Sequence, residues 1–119
     1  MINLDYTDRT PIYEQIVKEI EKHVALGILK EKEQIMSIRE LATTLGINPN
    51  TVKKAYSILE TKGIITSIST KGTFIKEGAS KVKEDTINNY INEINSIMDK
   101  LEKLGISKKE IIKKIENVE

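Results

Sequence analysis

Two helix-forming segments follow each other within residues 37–63 with almost no room between them. The first opens with Ser37 and has Glu40 three positions later, so the two can satisfy each other's exposed amides as a capping box. It ends at Gly46, a residue that readily takes the left-handed conformation after a helix. Only two residues intervene before the second helix begins at Pro49, a residue favoured at the first helical position. This spacing predicts a helix-turn-helix.

The second helix of this motif, predicted over about residues 49–62, has one apolar and one polar face. At 100° per residue, the inward positions are Val52, Ala55, Tyr56 and Leu59. The outward positions are Asn50, Lys53, Lys54 and Ser57, with Thr51 at the flank. A recognition helix carries its base contacts near its N-terminus, and Asn, Lys and Thr side chains suit base edges or phosphates. Asn50, Thr51, Lys53 and Lys54 are therefore candidate DNA contacts, although any soluble helix can have such a face.

Arg39 lies in the first turn of the preceding helix, which crosses the DNA backbone in a helix-turn-helix. Its guanidinium can clamp a phosphate, or it can pair with a nearby acid instead. Ser37 is expected to cap the helix and also to contact phosphate.

After Gly63 the apolar pattern changes, and residues 64–75 predict two short strands around a glycine-containing turn. Such a hairpin is the wing of a winged helix. Lys71 and Gly72 at its tip can reach the minor groove or the backbone, although a Lys-Gly pair is also common in ordinary hairpins.

A further helix is predicted on each side of this motif. On the N-terminal side, Thr10 is the expected cap and Pro11 the first residue of a helix over about residues 11–27, with an apolar stripe that ends before Gly27. On the C-terminal side, apolar residues recur every seven positions, which is typical of a coiled-coil seam. The expected dimerisation residues are Ile87, Tyr90, Ile94, Ile97, Leu101 and Leu104.

Gly105 ends the long helix, and a second capping box at Ser107 and Glu110 predicts a last helix with apolar positions up to Val118. The tail either folds back on its own chain or pairs with another copy, and pairing is favoured because so much apolar surface is hard to cover in a small monomer. The fold class is therefore mainly α with a small β-hairpin wing. The domains are a winged helix-turn-helix over residues 1–78 and a two-helix dimerisation tail over residues 79–119.

Charge is unevenly distributed along a chain whose formal net charge is only +1. Residues 34–76 contain six bases and two acids, a net charge of +4, whereas the segments before and after are slightly acidic. A localised positive segment of this kind can bind nucleic acid, although it can also be a solvated face.

Other function classes find little support. The chain has no cysteine and a single histidine, His23, so no metal or cofactor is expected, and no nucleophile motif or phosphate loop suggests an enzyme. No apolar run is long enough to span a membrane, and the first residues include acids, unlike a signal peptide. A cytoplasmic protein is expected.

The chain resembles the GntR family of bacterial transcription regulators over about residues 9–76. The resemblance rests on residues 11–16, 27–29, 37–42, 45–56, 59–60, 63–65 and 71–75. It implies DNA contacts from Arg39, from Asn50, Thr51 and Lys53, and from the wing at Lys71 and Gly72. One departure is Met36, where the family usually has proline. The short tail is similar to that of the YtrA-type subgroup, which implies a dimer and often control of transporter genes.

We therefore expect a sequence-specific transcription regulator, a repressor, that binds a palindromic double-stranded DNA operator as a homodimer. The alternative is a protein-interaction adaptor that uses the winged fold and the helical tail as docking surfaces. A small-molecule effector is a third hypothesis, in a crevice between the tail and the winged domain that Tyr13, Tyr56 and Tyr90 could line, although core packing is the alternative role for each.

Overall fold

The computed structural model describes residues 2–117, without the side chain of Lys83. Within this range the chain forms helices α1 to α5 and strands β1 to β3. Their order is α1 (Ile12–Ala25), β1 (Gln34–Ile35), α2 (Ile38–Leu45), α3 (Pro49–Thr61), β2 (Ile65–Ile68), β3 (Gly72–Ile75), α4 (Lys81–Lys103) and α5 (Lys108–Glu116). The chain divides into two compact units, a winged unit that ends at Lys83 and a tail unit that begins at Glu84.

The predicted start of α1 was wrong by one residue. Pro11, not Thr10, is the N-cap, and the first helical hydrogen bond runs from the Gln15 amide to the Pro11 carbonyl (3.1 Å). The cause is the buried Gln15 side chain, whose amide nitrogen donates to the carbonyls of Thr10 and Asp5, both at 2.9 Å. The Thr10 carbonyl thus accepts a hydrogen bond from a side chain rather than from a backbone amide of the helix. The helix also ends earlier than predicted, at Ala25, because Gly27 adopts a positive φ of 74°.

The helix-turn-helix forms as predicted. Ser37 Oγ accepts from the Glu40 amide and Glu40 Oε1 accepts from the Ser37 amide, both at 3.1 Å, which completes the capping box of α2. Gly46 ends α2 in the left-handed conformation, and Asn48 Oδ1 caps α3 by accepting from the Asn50 amide (2.8 Å). The turn between α2 and α3 is therefore the one that the local signals predicted. Met36, which stands where the resembled family usually has proline, does not prevent α2 from forming.

The core of the winged unit is aliphatic and joins α1, α2, α3 and the sheet. Its most deeply buried side chains are Ile16, Val52, Leu59, Ile64, Ile65 and Ile75. Two polar contacts add to this packing: Tyr56 donates to the Met36 carbonyl (2.6 Å), and Lys62, the C-cap residue of α3, pairs with Glu21 of α1 (3.1 Å). These contacts hold α3 to the segment that precedes α2 and its C-terminal end to α1.

The wing hairpin belongs to a three-stranded antiparallel sheet in the order β1-β3-β2. The hairpin of β2 and β3 was predicted, but β1 was not. Strand β1 contains only two residues, Gln34 opposite Phe74 and Ile35 opposite Thr73. Two residues are too few to show the alternation by which a strand is detected in a sequence.

Glu31 holds the segment that immediately precedes α4, within the winged unit. Its carboxylate accepts from the Gly78 amide (2.8 Å), the Ser80 amide (3.4 Å) and the Ser80 hydroxyl. The Gly78 amide, followed by the Ser80 hydroxyl, holds the pKa of Glu31 below its ordinary value.

The predicted capping box of α5 forms only in part. Ser107 Oγ accepts from the Glu110 amide (3.2 Å), but the Glu110 carboxylate accepts from the Ser107 hydroxyl (3.3 Å) rather than from its backbone amide. Of the apolar positions predicted for α5, Ile111 is buried, while Ile112 and Ile115 are exposed. Val118 lies outside the described residues.

Candidate nucleic-acid interface

The N-terminal half of α3 presents a polar surface because its opposite side is anchored in the core. Val52, Ala55 and Leu59 are fully buried, and the helical period turns the residues between them outward. Asn50 and Lys53 are exposed and Thr51 is half-buried. Three candidate contacts therefore lie within the first two turns of the helix, where a recognition helix approaches base edges.

Asn50 and Lys53 have side chains that are available for a ligand. The hydrogen bond of Asn50 to Asn48 uses its backbone amide and leaves its carboxamide with a donor and an acceptor. Within residues 2–117, the Lys53 ammonium forms no salt bridge. An Asn carboxamide can make two hydrogen bonds to adenine, and a Lys ammonium can reach guanine acceptors or a phosphate.

Lys54 is placed differently from its neighbour Lys53. Its ammonium lies 4.0 Å from the centroid of the Tyr13 ring, which is a cation–π contact between α3 and α1. Such a contact contributes about 0.5–1 kcal/mol at an exposed site. DNA contact by Lys54 stays a prediction, and a structural role for this side chain is also evident.

The first turn of α2 brings Ser37, Arg39 and Glu40 together. Arg39 is exposed and, in the described part of the chain, pairs with no carboxylate, so the ion pair considered as its alternative role is not observed. Bonds from the Ser37 amide and then its hydroxyl hold the pKa of Glu40 below its ordinary value. Ser37 thus acts as the cap, and Arg39 next to it carries an unpaired guanidinium.

The tip of the wing depends on a close contact between Gln34 and the hairpin. Gln34 Nε2 donates to the Lys71 carbonyl (3.1 Å), and a Cβ added at Gly72 would lie only 2.6 Å from the same nitrogen. Gly72 also has a positive φ of 123°, so the backbone favours glycine here, and a larger residue would in addition displace the Gln34 amide. The Lys71 side chain is exposed.

The two acids of residues 34–76, Glu40 and Glu60, form no salt bridge with the bases of that segment among the described residues. Glu40 is bonded to the start of α2, and Glu60 of α3 accepts from the Ser67 amide of β2 (3.3 Å). Of the bases, Lys62 is paired with Glu21, whereas Arg39, Lys53 and Lys71 are in no salt bridge among the described residues. The exposed cations of α2, α3 and the wing are therefore free to meet phosphates.

The roles of two residues that shape this surface were not identified from the sequence. Gln34 supports the wing tip, and Glu60 joins α3 to the free edge of β2. Each acts on a residue at least seven positions away, so no local pattern marks it. The sequence did mark Tyr56, but as core packing, without its hydrogen bond to Met36.

The described residues do not offer other common sites. No cluster of three or more His, Asp or Glu within residues 2–117 is arranged to bind a metal ion. No helix in that same range combines the length and hydropathy needed to cross a bilayer.

Comparison with known proteins identifies a family. The family model "Bacterial regulatory proteins, gntR family" matches residues 12–75. The HTH-type transcriptional repressor YtrA of Bacillus subtilis is 47% identical over 79 residues, which are 66% of this chain and 61% of YtrA. The chain thus matches less than two thirds of the length of this relative.

Solved structures extend the likeness to nearly the whole chain. A transcriptional regulator from Oenococcus oeni superposes with a TM-score of 0.71 at 34% identity, covering 98% of both chains. AraR(DBD) in complex with operator ORR3 superposes with a TM-score of 0.53 at 27% identity, covering 61% of this chain and 88% of that one. The matching part of AraR was thus solved together with an operator.

Proposed function

The chain belongs to the GntR family of bacterial regulatory proteins, and on this basis we propose that it is a transcription repressor that binds a palindromic operator as a homodimer. The observation that carries the proposal is the polar N-terminal half of α3, exposed opposite a fully buried face. AraR(DBD), which was solved in complex with an operator, resembles the winged unit, and this resemblance supports the proposal that the winged unit binds DNA.

Each candidate contact has a distinct role in this proposal. Asn50 and Lys53 meet base edges in the major groove, with Thr51 at the flank. Arg39 and Ser37 at the start of α2 contact a phosphate, which sets the register of α3 on the duplex. Lys71 and Gly72 bring the wing to the adjacent minor groove or backbone. The cation of Lys54 is shared between Tyr13 and DNA.

The apolar stripe of α4 supports a homodimer through the tail. Four of its predicted positions, Ile87, Tyr90, Ile94 and Ile97, are between 48% and 60% exposed, and Leu104 is 83% exposed. Leu101 is half-buried. Large apolar side chains that recur every seven residues on one helix are typical of a surface that a second helix covers. A second copy supplies the same stripe, and a two-fold dimer would present two α3 helices to a palindrome.

Selection of bound duplexes from a random pool is the experiment that tests this function. We expect an enriched palindrome with half-sites separated by about one helical turn, roughly 34 Å, or a multiple of it. The log of its affinity should fall with the log of salt concentration by about 0.9 per neutralised phosphate.

Failure to enrich any duplex at low salt would contradict DNA binding. If dimerisation persisted in that case, the protein-interaction adaptor would be the better account of the fold. Control of transporter genes stays a prediction that rests on the family resemblance.

A further inference from the structure

A pocket of about 280 Å³ lies within the winged unit, bordered by α1, β1, α2 and Tyr56 of α3. Its walls are mainly aliphatic and include Ile20, Leu29, Leu41 and Leu45. It is not the crevice expected from the sequence. Tyr56 lines it, but Tyr13 lies under Lys54 and Tyr90 is exposed on α4.

The polar groups of this pocket determine the charge of a suitable occupant. Among the residues that the structure describes, those lining the pocket include no Lys, Arg, Asp or Glu. An anion placed there would lose hydration without a Lys or Arg to supply a counter-charge, which is unfavourable. The pocket therefore suits a neutral molecule.

His23 is a lining side chain that can hydrogen-bond an occupant. The Tyr56 hydroxyl is committed to the Met36 carbonyl, and the Gln34 amide nitrogen to the Lys71 carbonyl. The Thr44 hydroxyl donates to the Met36 sulfur (3.7 Å). In contrast, His23 Nε2 lies 3.6 Å from Glu19 Oε2, which is longer than a hydrogen bond. The imidazole can thus accept from or donate to one ligand group.

The volume indicates the size of the occupant. An apolar cavity of about 150 Å³ in another protein binds benzene. A pocket of about 280 Å³ has nearly twice that space and matches a fused two-ring molecule.

We propose that this pocket binds a neutral, mostly apolar molecule of two-ring size, held by one hydrogen bond to His23, and that its occupancy alters affinity for DNA. The second half of this statement rests on the proposed function.

Two lining residues connect the pocket to the DNA-contacting elements. Gln34 lines the pocket and holds the wing tip through the Lys71 carbonyl. Met36 also lines the pocket, and the next residue, Ser37, caps the helix that carries Arg39. A ligand that displaces either side chain changes the geometry of the wing or of α2. By linkage, DNA would change the affinity for the ligand by the same factor.

Indole is a suitable probe because it is neutral, has two fused rings and carries one N–H donor. We expect saturable changes in the NMR signals of His23, Leu41 and Leu45 when indole is added to the full chain. Indole-3-carboxylate, an anion of the same ring system, should leave these signals unchanged. His23→Phe should weaken indole binding by roughly two- to tenfold, the value of one hydrogen bond.

A pair of adjacent threonines on α2 provides matched variants. Both are exposed, but Thr44 lines the pocket and Thr43 does not. Thr44→Trp should abolish the indole response, whereas Thr43→Trp should retain it. In the wild type, saturating indole should change operator affinity by about fivefold or more, and in Thr44→Trp it should not.

The two halves of the proposal fail separately. Absence of the signal changes in the wild type, or an equal response from both tryptophan variants, would overturn the pocket as a binding site. Indole binding without any change in operator affinity would overturn its regulatory role. A chain that binds no duplex even without indole would instead refute the proposed function, and the NMR titration would still decide whether the pocket binds ligand.

Discussion

Lys53 and Lys54 are neighbours of the same type on α3, yet the structure places them in different environments. The ammonium of Lys54 lies over the Tyr13 ring, while that of Lys53 forms no salt bridge among residues 2–117. A cation that has no protein partner breaks no protein contact when it binds a base edge or a phosphate. Lys53 is therefore the better candidate for a residue that distinguishes sequences.

Replacing Lys53 with alanine tests this distinction. We expect Lys53→Ala to weaken operator binding by about 1–3 kcal/mol, the value of a good base contact, and to weaken binding to random DNA less. Binding assays on both duplexes measure the two losses. Lys22→Ala, which removes an exposed cation of α1, is the control and should change neither. Equal losses on operator and random DNA would make Lys53 a phosphate contact.

Tyr56 is a buried titratable residue beside the start of α2. Burial, with a smaller contribution from the charge of Glu40, raises the pKa of Tyr56 from 10.0 to about 12. The folded chain thus keeps the phenol proton at pH values where an unfolded tyrosine loses it. Stability from this group is fully present below pH 10 and is lost as the pH rises toward 12.

We expect the free energy of unfolding to fall between pH 10 and 12 with a contribution from Tyr56 of up to roughly 1.4 kcal/mol per pH unit. Urea unfolding at several pH values measures it. Tyr56→Phe should remove this contribution and cost about 1 kcal/mol at neutral pH, because the Met36 carbonyl loses its donor. Tyr13→Phe is the control and should keep the pH dependence. The idea fails if wild type and Tyr56→Phe show the same slope.

At the scale of elements, the wing depends on contacts beyond the hairpin itself. Strand β1 pairs with β3, the Gln34 side chain binds the Lys71 carbonyl, and Glu60 of α3 binds the edge of β2. An isolated two-stranded hairpin is marginally stable in water, so these contacts are what give the wing tip a defined position.

Gly72→Ala tests the wing as an element. The new Cβ would meet Gln34 Nε2 at 2.6 Å and the backbone would keep an unfavourable positive φ, so we expect a loss of about 1–3 kcal/mol in stability together with weaker operator binding. Gly27→Ala is the matched control, because it has a positive φ but no heavy atom within 4 Å of the added Cβ. It should reduce stability alone. Unchanged operator affinity in folded Gly72→Ala would exclude the wing tip from the interface.

At the scale of the whole molecule, the proposed repressor requires two copies. The winged unit carries the proposed DNA contacts, while α4 carries a regular row of exposed apolar side chains. A single winged unit reads one half-site, and joining two of them raises affinity through effective concentration without any new DNA contact.

Ile94→Glu tests this arrangement, because a charge in the centre of the apolar stripe should oppose association. We expect a monomer in sedimentation equilibrium, operator affinity at least about tenfold lower, and unchanged affinity for an isolated half-site. Asn95→Glu introduces the same charge at the adjacent exposed position, outside the seven-residue repeat, and should remain dimeric. A dimeric Ile94→Glu would show that the stripe has another use.

The sequence by itself determined the helix-turn-helix, the hairpin and the apolar repeat of α4. Caps such as Ser37 and Asn48 act on amides two or three residues away, and Gly46 ends a helix through its own φ. Periodicity likewise decides which side of α3 is buried. These signals are short-range, so they can be found without coordinates.

Only the tertiary structure decided how these elements are held and what they leave accessible. The bond from Gln34 to Lys71 spans 37 positions and that from Lys62 to Glu21 spans 41, and no local pattern specifies either. The same holds for strand β1 and for the pocket beside His23. Such features depend on the relative placement of distant segments, which packing of the core sets and which sequence spacing does not contain.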